Sequence, residues 1–96
     1  MREDKFIVYL ENQKSIRSKE KAVRSRISKA RMVEDKLNVN LDLIVREDDK
    51  TYDILIKIKD QFGDRNGAIQ NAVRKYYSFV NNKEFPSLSN YTKNKE

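Results

Sequence analysis

Val23, Ile27, Ala30, Val33 and Leu37 recur at steps of 4, 3, 3 and 4 residues. That spacing lays all five along one stripe of an α-helix and fixes which side must be buried. It predicts a helix over about 18–37. Ser18 is placed to cap it, and Glu20 lies in the first turn, where the helix dipole favours a negative charge. A second stripe, Ile69, Ala72, Val73, Tyr76 and Val80, predicts a helix over 66–81. Gly63 and Gly67, the two glycines of the chain, both precede it and mark a turn, with Asp64 or Asn66 as the cap. Phe6, Ile7, Tyr9 and Leu10 give a shorter helical pattern over 4–13, capped by Asp4.

Residues 38–58 admit two readings. Val39, Leu41, Leu43 and Val45, then Tyr52, Ile54, Ile56 and Ile58, alternate with polar residues around Arg46-Glu47-Asp48-Asp49-Lys50, as a β-hairpin would. At helical period, Leu41, Ile44 and Val45 form a short turn. Tyr52, Leu55, Ile56, Lys59 and Phe62 then line one face of a helix capped by Asp49 or Thr51. No Asn-Gly or Asp-Gly turn supports the hairpin, and an isolated hairpin needs further strands. The expected fold is an all-α bundle of four to five helices over residues 1–85, with α+β and a hairpin at about 39–58 as the alternative. After Asn82 the periodicity ends, and 86–96 read as a flexible tail that starts at Pro86. Phe85 and Leu88 are apolar enough to fold back onto the core.

Ninety-six residues bury one small core, which excludes a multidomain enzyme and a deep enclosed cavity. With no Cys there is no disulfide framework or thiolate chemistry, and with no His the commonest general base and metal ligand is missing. Apolar runs fall far short of the roughly 20 residues of a membrane span, and no signal peptide is visible. The expectation is a cytoplasmic binding domain with no catalytic residues, no metal and no cofactor.

The formal charge is +6, and it is unevenly placed. Residues 14–31 hold eight Lys and Arg (Lys14, Arg17, Lys19, Lys21, Arg24, Arg26, Lys29, Arg31) against Glu20, a net +7, while the rest of the chain sums to −1. A block of like charge is stable when solvated or when it meets an anion, and nucleic-acid phosphate is the most abundant polyanion. At 100° per residue, Lys21, Arg24, Ser28 and Arg31 form a row about 15 Å long on one flank of the stripe, with Ser25, Lys29 and Lys36 on the far side. Lys14, Arg17 and Ser18 at the helix start add cations and amides. On the last helix Gln70, Asn71 and Arg74 carry the side chains that read base edges, Asn or Gln to adenine and Arg to guanine. Tyr77 projects beside Gln70 and Arg74 as a further candidate contact, with Asn71 and Lys75 on the opposite flank, whereas Tyr76 and Phe79 read as core. The acids Asp42, Glu47, Asp48, Asp49 and Asp53 lack EF-hand spacing and read as caps and solvated loop residues.

The order of elements resembles a known family. A short helix ends in Tyr9-Leu10, and a Ser15-Ile16-Arg17-Ser18 turn leads into the basic helix. Asn40-Leu41-Asp42-Leu43-Ile44 and a helix with Tyr52 and Leu55 follow, then Asn71-Ala72-Val73-Arg74-Lys75-Tyr76-Tyr77-Ser78-Phe79-Val80. Over residues 5–85 this is similar to the N-terminal core-binding (SAM-like) domain of phage integrases and other tyrosine recombinases. The resemblance implies an orthogonal helical bundle that clamps duplex DNA through Ser15 to Arg31 and Asn66 to Lys75, in DNA recombination or another function of a mobile element. That family's catalytic domain is separate and its residues are not found here, so strand transfer does not carry over. The expected partner is double-stranded DNA, with a fused or separate catalytic domain and a homodimer as further possibilities. The alternative is a regulator that grips an acidic protein with the same basic helix.

Overall fold

A computed structural model describes residues 1–13 and 19–92. Among them are five helices and no strand: α1 (Glu3–Glu11), α2 (Lys19–Leu37), α3 (Leu41–Ile44), α4 (Asp48–Gln61) and α5 (Ala68–Asn81). The small all-α bundle is therefore the fold, and residues 38–58 are helical rather than a hairpin.

The ambiguous stretch becomes helical because its polar groups close local hydrogen bonds. Asn40 caps α3 by accepting from the Asp42 amide at 2.9 Å. The Leu41 amide donates to Glu34 Oε2 at 2.9 Å, which ties α3 to the end of α2. Thr51, fully buried, donates its hydroxyl to the carbonyls of Ile44 and Glu47 at 3.2 and 3.0 Å. The buried face of α4 is Thr51, Ile54, Leu55 and Ile58. Of the face expected from the sequence, Leu55 alone is fully covered: Tyr52, Ile56 and Phe62 are half-buried and Lys59 is exposed. The face that packs is rotated by about one residue, because it includes a threonine whose hydroxyl is satisfied by backbone.

Two helices end on asparagine in the left-handed region, where a short polar side chain is tolerated. Asn38 (φ 53°) follows α2, and the Val39 amide reaches back to the Glu34 carbonyl at 3.1 Å. Asn82 (φ 57°) closes α5 with its amide on the Ser78 carbonyl at 2.8 Å. At the start of α5, Asp64 accepts from the Ile69 and Gln70 amides at 2.9 Å each, and Asn66 from the Ala68 amide at 3.1 Å. Both expected caps are used.

The core centres on α2 against α5, with α1 across one end. Val23, Ile27, Ala30 and Val33 of α2 meet Ala72, Val73 and Tyr76 of α5 and Phe6 and Leu10 of α1 in a single buried cluster. Phe6 stands edge-on to Tyr76, ring centres 4.9 Å apart, and Phe79 packs on both at 5.5 Å. On the other side of α5 lies a second aromatic group. Tyr77 meets Phe85 edge-on at 5.0 Å, and Tyr91 stacks on Tyr52 and packs tilted against Phe85, with ring centres 5.1 Å apart in each pair.

That second group corrects two expectations. Tyr77 does not project outward: it is 1% exposed and donates its hydroxyl to Asp48 at 2.8 Å. The stretch from Pro86 to Tyr91, expected as a tail, packs against α4 and α5 instead. Phe85 is buried, Leu88 packs on the core, and Tyr91 donates to Asp49. A helix covered on two sides buries two stripes, and the sequence stripe marks only the wider one.

Candidate nucleic-acid interface

The basic helix presents the row that its periodicity demands. Lys21, Arg24, Ser28 and Arg31 are all exposed on α2. Arg24, Ser28 and Arg31 converge on a cleft of about 730 Å³ between α2 and α1. Its floor is apolar, from Ile7, Val23 and Ile27, and Glu11 and Glu20 share its rim. Lys21 stands on the outer surface away from the cleft. Lys14, Arg17 and Ser18 lie outside the described residues.

The row is partly countercharged. Arg24 pairs with Glu20 one turn back at 3.2 Å, both side chains about four-fifths exposed (80% and 81%). Arg31 reaches across to Glu3 of α1. Pairs this open to water contribute about 0–1 kcal/mol and exchange readily for another anion. Lys21 has no ion-pair partner among the described residues. No carboxylate from residues 42–53 reaches α2 among the ion pairs of the described residues.

Those acids are engaged elsewhere. Tyr76, Tyr77 and Tyr91 donate their hydroxyls to Asp42, Asp48 and Asp49 in turn. Desolvation, reinforced by the adjacent carboxylate, pushes Tyr76 and Tyr77 up to about 12. Asp42 also takes the Arg2 guanidinium at 3.2 Å and the Met1 ammonium at 3.5 Å. Burial alone would raise its carboxyl, but the bonds from Tyr76 and Arg2 and the nearby positive charge outweigh burial and hold it below its ordinary value. Glu47 pairs with Lys50 at 2.9 Å. Among the described residues no three His, Cys, Asp or Glu side chains group in a way that would hold a metal ion.

The three candidate base readers on α5 separate. Asn71 is exposed and Gln70 half-buried. Arg74 serves the fold: its Nη1 donates to the Phe85 and Pro86 carbonyls at 3.0 Å each, and its guanidinium lies 5.8 Å over the Phe85 ring. Burial lowers its pKa. Those two carbonyls of the returning segment engage Nη1, and Nε and Nη2 keep their N–H groups.

Lys29, assigned by the sequence to the far side of α2, lines a second pocket of about 370 Å³ with Gly63, Asp64, Arg65, Asn66, Ala68 and Ile69. Helical projection of α2 alone has no means of showing this, because the other wall comes from the α4–α5 turn. Gly63 and Gly67 give that turn its shape by adopting φ of 59° and 73°, with open space where a side chain would stand. On the buried side of α2, Arg26 is half-covered and its Nε has no hydrogen-bond partner among the described residues.

No known protein family, characterised protein or solved structure matches this chain. No described helix is long and apolar enough to cross a membrane.

Proposed function

We propose that this chain is a non-catalytic, cytoplasmic module that binds double-stranded DNA, similar in role to the core-binding domain of a recombinase or integrase of a mobile element. The observation that carries the reading is the outer face of α2. Lys21, Arg24, Ser28 and Arg31 stand exposed on one straight helix, opposed only by surface carboxylates that phosphate can displace. The five-helix bundle is compatible with that family, and Gln70, Asn71 and Arg74 would be the candidates to reach bases. A catalytic domain would be supplied by another polypeptide segment or another protein.

If about 4 phosphates are neutralised, the logarithm of affinity should fall with the logarithm of salt at a slope near −3.6. The test is a gel shift of duplex DNA with the Lys21→Ala/Arg24→Ala/Arg31→Ala variant. Its melting temperature should match the parent's, because all three side chains are exposed. Its duplex binding should disappear. Parental affinity in that variant removes this surface from the proposal.

One observation favours a second reading. The apolar floor of the α1–α2 cleft and its mixed-charge rim suit a side chain of an acidic protein better than a sugar–phosphate strand. Retention of an acidic protein with no shift of any duplex at low salt would select that reading.

A further inference from the structure

We propose that the pocket where α2 meets the α4–α5 turn is an anion site in which Lys29, Arg65 and Asn66 seat a backbone phosphate of the bound duplex. This rests on the DNA reading and extends it to residues outside the α2 row.

Charge balance separates this pocket from the α1–α2 cleft. In the cleft, Arg24 and Arg31 already face Glu20 and Glu3, and Glu11 adds a further acid. A phosphate entering there exchanges with carboxylates already present, at little gain in net charge. In the second pocket Asp64 is the one acid on the wall, and both its oxygens are occupied by the Ile69 and Gln70 amides. Its negative charge is thereby partly offset by the positive end of the α5 dipole. Lys29 makes one hydrogen bond, to the uncharged hydroxyl of Ser25. Arg65 is exposed and has no ion-pair partner among the described residues. Asn66 uses its oxygen on the Ala68 amide, which leaves its NH₂ to donate. Apart from Asp64, the side-chain polar groups open to a ligand in this pocket are donors, and two of them are cations. That is the composition a phosphate requires.

Position agrees with composition. At 100° per residue Lys29 lies about 140° around α2 from Arg24, with Lys21 between them. A duplex resting on the outer face of α2 would meet the cleft-side arginines along one edge and the Lys29–Arg65 pocket along the other. Gln70 and Asn71 follow directly after the pocket residue Ile69 on α5. At 100° per residue Gln70 is the nearer of the two to a strand held at the pocket, whereas Asn71 lines a separate hollow with Arg74, Lys75 and Ser78.

The test uses the Lys29→Gln/Arg65→Gln variant of the full chain, with Lys29→Arg as a conservative control and a circular-dichroism melt to check folding. Anisotropy of a labelled duplex is measured between about 50 and 200 mM salt. The double variant should bind about tenfold more weakly, with a salt slope shallower by about 2, roughly one per cation removed. Lys29→Arg should retain parental binding. If the parent binds duplex and the double variant binds it equally well with an unchanged slope, the pocket assignment is overturned and the DNA reading stands. If the parent binds no duplex at low salt, the DNA reading falls, and pyrophosphate titration followed by amide NMR decides the pocket alone. Shifts at Lys29, Arg65 and Asn66 that vanish in the double variant would keep the anion site and transfer it to a free phosphate ligand. No shift there would overturn it altogether.

Discussion

Around α3 and α4, Asp42, Asp48 and Asp49 each accept a tyrosine hydroxyl, whereas beside α2 Glu3 and Glu20 meet only solvent-exposed guanidinium groups. Both regions bring opposite or complementary groups together, but at very different cost of exchange. A tyrosine that is 0–1% exposed cannot release its carboxylate without leaving a phenol unsatisfied in the core. An arginine on the surface releases its carboxylate to water or to another anion with little change in energy. Asp42 and Asp48 are thus committed to holding α5 in place, and the basic face of α2 stays available. A net charge of +6 understates how cationic α2 is, because residues 14–31 carry +7 and the rest of the chain sums to −1.

The largest expected effect lies in the acid-rich region. Tyr76→Ala removes a fully buried ring that touches Phe6 and Phe79, and also strands Asp42 and the Arg2 amide, which donates to the Tyr76 oxygen at 2.8 Å. The loss should be about 3–5 kcal/mol. For a domain of this size that lowers the melting temperature by more than about 12 °C in a calorimetric scan. A drop under a few degrees would mean that the tyrosine does not hold this region together.

An alkaline titration probes the same bonds with less disruption. Tyr76, Tyr77 and Tyr91 all stand near 12 in the folded chain, above the usual value of 10. A raised value means that the folded state holds the phenolic proton more tightly than the unfolded state. The stabilisation is therefore complete below pH 10 and drains away as the pH climbs toward 12. Ultraviolet titration of phenolate, read beside far-ultraviolet circular dichroism, should show ionisation delayed past pH 10 and coincident with unfolding. Free ionisation of all five tyrosines near pH 10 with the helices intact would break the contrast between the regions.

How legible this was differs from one element to the next. The stripes of α2 and α5 predicted both helices, because an apolar period of 3.6 has one packing solution. The caps Asp64 and Asn66 were equally readable, since short-range hydrogen bonding depends on neighbours in the chain. Tyr77, Arg74 and Lys29 were not. Each depends on a segment far away in sequence: Tyr77 on Asp48 and Phe85, Arg74 on the carbonyls of residues 85 and 86, and Lys29 on the turn at 63–69. Helical projection gives the direction of a side chain but not what arrives to meet it. The tyrosine–aspartate bonds are hidden for the same reason. That Asp42 and Asp48 belong to an acidic cluster is plain from the sequence, but which hydroxyls reach them is not.

The smallest effect on stability should come from Glu3→Gln/Glu20→Gln, and it is also the sharpest comparison. The two pairs it breaks are exposed, so the melting temperature should change by the equivalent of less than about 1 kcal/mol. Asp42→Asn removes one charge where these remove two. It disturbs bonds to Tyr76, Arg2 and the Met1 ammonium, so it should cost about 1.5–3 kcal/mol. For DNA the order reverses. Removing Glu3 and Glu20 frees Arg31 and Arg24 beside the proposed phosphates and should tighten duplex binding several-fold at low salt. The gain should fade once the screening length drops below about 8 Å, near physiological ionic strength. Asp48→Asn alters the charge by one unit away from the α2 face and should leave affinity nearly unchanged. Equal tightening by Asp48→Asn and by Glu20→Gln would show that only net charge matters. A stability loss for the Glu pair equal to that of Asp42→Asn would show that the fold depends on the ion pairs of its basic face no less than on the tyrosine–aspartate bonds of its acidic one.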